Sequence, residues 1–345
     1  MFPGMILSAE KFTIRLRRPF RIAHGSSDTR ETILVHLQAG GWQAHGEGAL
    51  PPYYPSQAAA CLDWLEHLDV GALPTEANDA PIPPAPPAAA AARVALQIAL
   101  RDLWGQRRGK PLWQAWGLNP SRIPPCARTI SIPADENELR QRIEEGRSAG
   151  SRHFKLKSGS GDLAWDENCV RLALAGNPDL HLSVDANAAW SPAQAAWIIP
   201  RLPVKYIEQP VAREIERWVE LRGLLRNAEI PPLVADESVQ SENDLAAWRG
   251  LAEGVNIKLL KAGGLDGARR WIAQARVAGF KVLVGVMVET GIGRTAAAQL
   301  APLADWLDID PPDSTPVEPL SGFRIAGDRL TLSDLPGLGL TATAA

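Results

Sequence analysis

Cysteine is scarce. The chain has three, Cys61, Cys126 and Cys169, scattered too widely for a CxxC pair or any zinc-like spacing. That excludes a disulfide framework and a cysteine metal site, and a reduced, cytoplasmic setting is expected. No apolar run approaches the roughly 20 residues that cross a bilayer. The start of the chain passes from a short apolar stretch into an alternating, arginine-containing strand pattern rather than a signal sequence. A dominant charge is also missing: 36 Lys and Arg against 39 Asp and Glu leave a net −3 with no block of like charge. Neither nucleic acid nor an anionic membrane is favoured by that balance. Histidine is limited to six residues, none beyond His181. What remains is an expectation of a small-molecule substrate.

A length of 345 residues suits one α/β barrel with a smaller unit attached. Residues 6–16 and 32–37 alternate, and Gly40-Gly41 turns the chain into 42–47, which predicts a three-stranded antiparallel meander. Helical periodicity follows at 56–67 and 88–107, separated by a proline-rich stretch, 81–87, that reads as an extended linker. From Cys126 onward the pattern becomes short apolar strand, turn and amphipathic helix. CARTISI, HFKLK, HLSVD, KYIEQ, PLVADE, GVNIKL, KVLVGVM and WLDID are the strands; 136–148, 192–200 and 267–278 are among the helices. Continuous apolar strands in strict alternation with helices predict a parallel sheet, and about eight such units close into a barrel. Two short strands, 323–326 and 329–332, are expected to return to the N-terminal unit.

Several of these apolar runs end in a charged residue that a barrel core would not accommodate. In a parallel barrel the C-terminal strand ends share one mouth. Asp185, Glu208 and Asp236 end three successive runs, 23 and 28 residues apart, so three carboxylates face one point. A single Asp after a strand is commonly a helix N-cap. Three in succession repel unless a cation neutralises them. Oxygen donors without His or Cys imply a hard ion, best matched by Mg²⁺, with Asn187 supporting the set. Lys155 and Lys157 share one face of HFKLK and point inward, and Lys258 lies across the barrel. Lys261 reads as a solvated residue at a loop or helix start. Lysine's usual pKa of ~10.4 is too high for a base; neighbouring cations and desolvation are expected to lower it. One lysine on each side of a planar enolate could then remove a proton from one face and return it on the other.

The ordered set KLK, VDAN, IEQP, ADES, NIKLLKAGG and GVMVET, with RPFRIAHG and GEGALPPY ahead of it, resembles the muconate-lactonizing subgroup of the enolase superfamily. The resemblance implies a modified (β/α)7β TIM-type barrel, residues 121–314, carrying an α+β capping domain, residues 1–120 joined by 315–345. By motif match it implies Mg²⁺ ligands Asp185, Glu208 and Asp236, acid-base residues Lys157 and Lys258, and Lys155 polarising a substrate carboxylate. A homo-oligomer is that family's habit.

The absence of histidine after the third barrel strand argues against the His-Asp chemistry of the mandelate racemase type. WLDID places Asp308 and Asp310 on one face, which resembles the pair by which dipeptide epimerases hold an α-ammonium. The expected activity is therefore Mg²⁺-dependent epimerisation of a dipeptide at the α-carbon of its C-terminal residue. Alternatives are an N-succinylamino acid racemase or o-succinylbenzoate synthase, and a barrel that binds ligand without catalysis. Thr129, Val286, His24 and Tyr54 are expected to touch substrate, with the segments 24–30 and 51–55 acting as a capping loop and an apolar or aromatic wall. Where enzymes selective for Ala-Glu carry an Arg, this chain has Gly25; Arg30 is the nearest replacement.

Overall fold

The computed structural model describes residues 4–74, 82–309 and 320–342. Asp310 and the proline-rich stretch's Pro81 lie outside them. Strands β1 (Ile6–Ile22), β2 (Gly25–Ala39) and β3 (Trp42–Ala49) form the antiparallel meander. The first hairpin is longer than its alternation predicts. Residues 24–30, expected as a loop, form the hairpin turn and the start of β2, with Ile22 paired to Gly25 and Phe20 to Ser27. The register breaks between Arg15 and Phe20, around Pro19, which has no N–H for the ladder. The bulge lets one ribbon bend, so that Phe20 and Ile22 reach the barrel mouth.

Helices α1 (Ala58–Glu66) and α2 (Ala90–Arg107) cover this sheet. The stretch between them is docked rather than free: Trp64 Nε1 donates to Pro84 O and Arg93 Nε to Pro83 O, each at 3.3 Å. The alanine-rich α2 is almost wholly buried because it lies directly on β3. A Cβ on Gly46 or Gly48 would stand 1.9 Å from the carbonyl oxygen of Ala95 or Ala91. Gly48→Ala is expected to lower stability by about 1–3 kcal/mol through that overpacking, read as a shift in denaturation midpoint.

After the single turn α3 (Leu112–Ala115), eight parallel strands run in sequence order around the barrel. They are β4 (Arg128–Ile130), β5 (His153–Lys157), β6 (His181–Asp185), β7 (Ile207–Glu208), β8 (Leu233–Ala235), β9 (Gly254–Ile257), β10 (Lys281–Gly285) and β11 (Trp306–Asp308). Every one falls within a run predicted from the sequence. The ring closes through Ala127 N donating to Leu307 O at 2.8 Å. The helices between them are α4 (Glu136–Ser148), α5 (Leu163–Leu174), α6 (Pro192–Ile198), α7 (Ile215–Leu225), α8 (Leu259–Ala262), α9 (Leu265–Val277) and α10 (Gly291–Ala298). Fully buried Trp218 and Trp271 pack helices onto the barrel wall. No helix among the described residues is long and apolar enough to cross a membrane.

The meander meets the barrel on its mouth side. Arg21 on β1 donates through Nε to Ile132 O at 2.8 Å and pairs with Glu138. Glu47 on β3 accepts from the backbone N–H groups of Thr290 and Gly293 at 2.9 and 2.8 Å. A carboxylate at the start of α10 complements the helix dipole, so this contact both caps a helix and joins the two parts.

The last strands are β12 (Leu320–Ser321), β13 (Phe323–Ala326), β14 (Arg329–Leu332) and β15 (Thr341–Ala342). The β13–β14 hairpin goes elsewhere than expected. Its turn residue Asp328 accepts from Arg152 N at 2.8 Å, and Cys126 N donates to Asp328 O at 2.8 Å, which seals the end of the barrel opposite the mouth. The return to the N-terminal unit is made by the next segment, where Leu338 N donates to Asp102 Oδ1 at 2.8 Å.

Candidate active site

The barrel mouth gathers the charged residues because each stands at or just past a strand's C-terminal end. Lys157, Asp185 and Glu208 are successive register partners on β5, β6 and β7. Asp236 directly follows β8, and Lys258 directly follows β9. Three strands lie between β5 and β9 in the eight-stranded ring, so Lys157 and Lys258 approach from opposite walls. Both line one cavity together with Phe20, Ile22, Thr129, Val286 and Asp308.

The carboxylates share a pattern. Each has one oxygen held by a donor other than Lys155, Lys157 and Lys258, and the other facing one of those inward lysines. Asp185 Oδ1 accepts from Asn187 N at 2.9 Å, while its Oδ2 meets Lys157 Nζ at 2.6 Å and Lys155 Nζ at 3.3 Å. Glu208 Oε1 accepts from Asn256 Nδ2 at 2.7 Å, and its Oε2 lies 2.6 Å from Lys155 Nζ. Asp236 Oδ1 accepts from Lys261 Nζ at 2.8 Å and its Oδ2 from Lys258 Nζ at 2.6 Å. Lys155, 1% exposed, also reaches Asp308 Oδ2 at 2.6 Å, and Thr129 Oγ1 donates to Asp308 Oδ1 at 2.8 Å.

Burial and neighbours shift these groups in different directions. Burial raises Glu208, and Asp185 and Asp236 add to it, so its carboxyl is pushed up to about 7 despite Lys155. Burial would raise Asp185 and Asp236 too, but the lysines beside them outweigh it and hold both below the usual carboxylate range. The expected lowering of the lysines is reversed for two of them. Burial pulls Lys155 and Lys258 down, yet the carboxylates around each outweigh it and hold the ammonium well above its ordinary value. Carboxylates rather than cations dominate the field made by the protein's own groups.

Three buried carboxylates on adjacent strands form an all-oxygen donor set, the chemistry of a hard divalent cation. Asn187 Oδ1 and Glu237 Oε2, close by, are buried without a hydrogen-bond partner. The residues fit such an ion in kind. They are not closed around a point: among the described residues no three His, Cys, Asp or Glu side chains already converge as a ligand cluster. The ammonium groups occupy the oxygens that would turn toward a metal.

Loop geometry fixes these positions. Asn187, Ala188 and Gln209 adopt positive φ values of 44, 64 and 39°, uncommon for residues other than glycine. Gln209 offsets that cost by bridging strand ends, its Oε1 accepting from Asp236 N at 3.0 Å and Ser238 N at 3.1 Å. Gly285 leaves space for Asn256, since a Cβ there would stand 2.6 Å from Asn256 Oδ1.

Other expected contacts are distributed more widely. An adjoining outer cavity of ≈ 500 Å³ shares Ile22, Tyr53, Tyr54, Asn187 and Glu237 with the inner one and adds His24. Tyr54, which donates to Gln240 Oε1 at 3.1 Å, borders both. Lys155 sits behind the inner wall rather than on it. Gly25 has φ +130°, which an Arg side chain could adopt only with strain, and the Arg30 guanidinium donates to Thr29 O at 2.9 Å.

A family model described as enolase C-terminal domain-like matches residues 138–345. The chain belongs to the enolase superfamily. Its similarity extends over nearly the whole length of individual members. The L-Ala-D/L-Glu epimerase of Bacteroides thetaiotaomicron is 30% identical over 342 residues, covering 95% of this chain and 86% of that protein. The substrate-liganded L-Ala-D/L-Glu epimerase of Bacillus subtilis has a TM-score of 0.86 at 26% identity, covering 99% of both chains. A Methylococcus capsulatus dipeptide epimerase, complexed with Mg and the dipeptide L-Arg-D-Lys, has a TM-score of 0.79 at 28% identity, covering 97% of this chain and 98% of that one.

In this enolase-superfamily barrel, sequence reasoning missed Asn256, Gln209, Glu237 and the apolar pair Phe20 and Ile22, and it misjudged Lys261. Asn256 carried a signal, because it alternates with Lys258 in GVNIKL and so shares its inward face. The Lys261 side chain is fully buried, not solvated: its Nζ donates to Asp236 O at 2.8 Å and Val239 O at 3.0 Å and lies 5.3 Å from the Trp271 ring centre.

Proposed function

We propose that this chain is a Mg²⁺-dependent dipeptide epimerase that inverts the α-carbon of the C-terminal residue. The observation that carries the reading is the pair of lysines, Lys157 and Lys258, lining one cavity from opposite walls and each bonded to a different carboxylate of the trio. Asp185, Glu208 and Asp236 would hold the metal. Bound there, Mg²⁺ supplies positive charge that lowers the cost of an enolate. A cation shared by the three carboxylates would relieve the field that holds Lys258 as an ammonium; one lysine, as the free amine, would then take the α-proton from its face, the other, as ammonium, would deliver a proton to the opposite face, and exchange with solvent would reset both. Lys155 keeps Asp308 and the metal carboxylates in register, and Thr129 orients Asp308. Residues 4–74 and 82–120, joined by the segment around Leu338, act as the cap, and 121–309 as the barrel, whose far end the β13–β14 hairpin closes.

Acidic groups favour a dipeptide over an N-succinylamino acid. Asp308 on the inner wall and Glu237, whose Oε2 is unpaired, suit an α-ammonium and would repel a succinyl carboxylate. Phe20, Ile22, Met287 and Val288 give the inner cavity an apolar side. With Gly25 in place of the arginine, dipeptides ending in an apolar or aromatic residue are the expected substrates rather than those ending in Glu.

Incubating a dipeptide library and N-succinylamino acids in D₂O with Mg²⁺, read by mass spectrometry, tests this. Deuterium is expected at one α-carbon of a subset of dipeptides, strongest where the C-terminal residue is apolar. Label confined to N-succinylamino acids would favour the racemase, and no label anywhere a binding protein.

A further inference from the structure

Lys261 takes no part in the proton transfers, yet it is the most completely buried of the ammonium groups at the mouth, with a side-chain exposure of 0%. An ammonium is excluded from water only where something fixed compensates it. Here three oxygens do so, Asp236 Oδ1 and O at 2.8 Å and Val239 O at 3.0 Å, with the face of Trp271 on another side. The short helix α8 makes this possible. It begins right after Lys258 and ends at Gly263 with φ 74°, so a single turn brings Lys261 back onto the same carboxylate that Lys258 contacts.

The two lysines divide that carboxylate between them, Lys261 on Oδ1 and Lys258 on Oδ2. Equivalent anchors exist for the other two carboxylates, the Asn187 amide on Asp185 and the Asn256 side chain on Glu208. Lys155 meets Glu208 and Asp185 on their second oxygens, whereas on Asp236 the oxygen turned away from the lysine pair, Oδ1, is itself held by a full positive charge. Its backbone is fixed at the same time, since Lys261 also binds the Asp236 and Val239 carbonyls and Gln209 accepts from Asp236 N.

We infer that Lys261 is a positioning residue for the metal: by holding Asp236 Oδ1 and the loop after β8, it presents Oδ2 alone toward the ion and so sets Mg²⁺ affinity. The inference rests on Asp236 being a ligand. Partners that orient a ligand from behind commonly alter metal affinity by about 10–100-fold when removed.

Calorimetric Mg²⁺ titration of four proteins tests it: the unaltered chain, Lys261→Met, Asp236→Asn and the double variant. Lys261→Met is expected to weaken Mg²⁺ binding by about 10–100-fold, with most of kcat restored at saturating Mg²⁺. The same change in the Asp236→Asn background is expected to shift affinity by less than about threefold, because the group it acts through is gone. Unchanged affinity in Lys261→Met beside a large loss in Asp236→Asn overturns the role of Lys261 alone. Unchanged affinity in Asp236→Asn overturns the ligand assignment beneath it. If Lys261→Met does not fold, Lys261→Gln is read on the same scale: a tenfold or greater loss supports the inference, and an affinity within threefold of the unaltered chain overturns it.

Discussion

Replacing Lys157 or Lys258 with Ala is expected to abolish epimerisation, each variant losing roughly 10²–10⁴-fold in kcat, the usual contribution of a positioned acid or base. The two effects should not multiply. Inversion needs a proton removed on one face and supplied on the other, so losing either lysine already blocks the path, and the double variant should be little worse than the single ones. The structure supports this because Lys157 and Lys258 are the two lysines lining the inner cavity among the described residues. Lys155, behind the wall, is committed to Asp308, Glu208 and Asp185 and cannot replace either. Steady-state rates, with circular dichroism to confirm folding, check this; full activity in either variant would rule out a two-base mechanism.

Glu208→Gln is expected to separate stability from function. Among the three carboxylates Glu208 is the one least suited to ionisation, raised by burial and by its two carboxylate neighbours while Asp185 and Asp236 are lowered. Gln keeps its shape and can still accept from Asn256 while removing one charge from the trio. Without added metal the variant should melt within a few degrees of the unaltered chain, since Lys155 retains Asp308 and Asp185. The response to Mg²⁺ should differ sharply. A ligand present at about 100 times its Kd stabilises the folded state by ~2.7 kcal/mol, and that gain should largely vanish in Glu208→Gln along with activity. Thermal melts with Mg²⁺ and with a chelator read both effects; an undiminished Mg²⁺-induced rise in Tm would remove Glu208 from the ligand set.

Much of this was legible because polar residues at the ends of apolar runs are conspicuous. Asp185, Glu208, Asp236, Lys157 and Lys258 all sit where a barrel strand must stop, and strand spacing alone placed them at one mouth. What failed to show depended on pairing or turn geometry. Gly25-Ser26-Ser27-Asp28 has the composition of a loop, but its pairing with 20–22 makes it a hairpin, and that pairing is set by a bulge at Pro19. Lys261 looks solvated in NIKLLKAGG, because nothing in that string reveals that α8 lasts one turn and folds the ammonium back onto Asp236. The direction in which Lys155 and Lys258 shift also needed the full surroundings: the sequence supplied the neighbouring cations, and only the packed site revealed that the carboxylates outweigh them.

Lys157 and Lys258, on opposite walls of the cavity, are expected to work on opposite faces of one α-carbon. Stereodefined substrate in D₂O with Mg²⁺ tests it most directly. Each lysine variant is given the L,L and the L,D form of one accepted dipeptide separately, and α-deuterium is followed by mass spectrometry. A crossed pattern is expected, in which Lys157→Ala exchanges the α-proton of one epimer only, Lys258→Ala that of the other only, and neither interconverts them. Exchange of the same epimer by both variants, or of both epimers by either one, would contradict it.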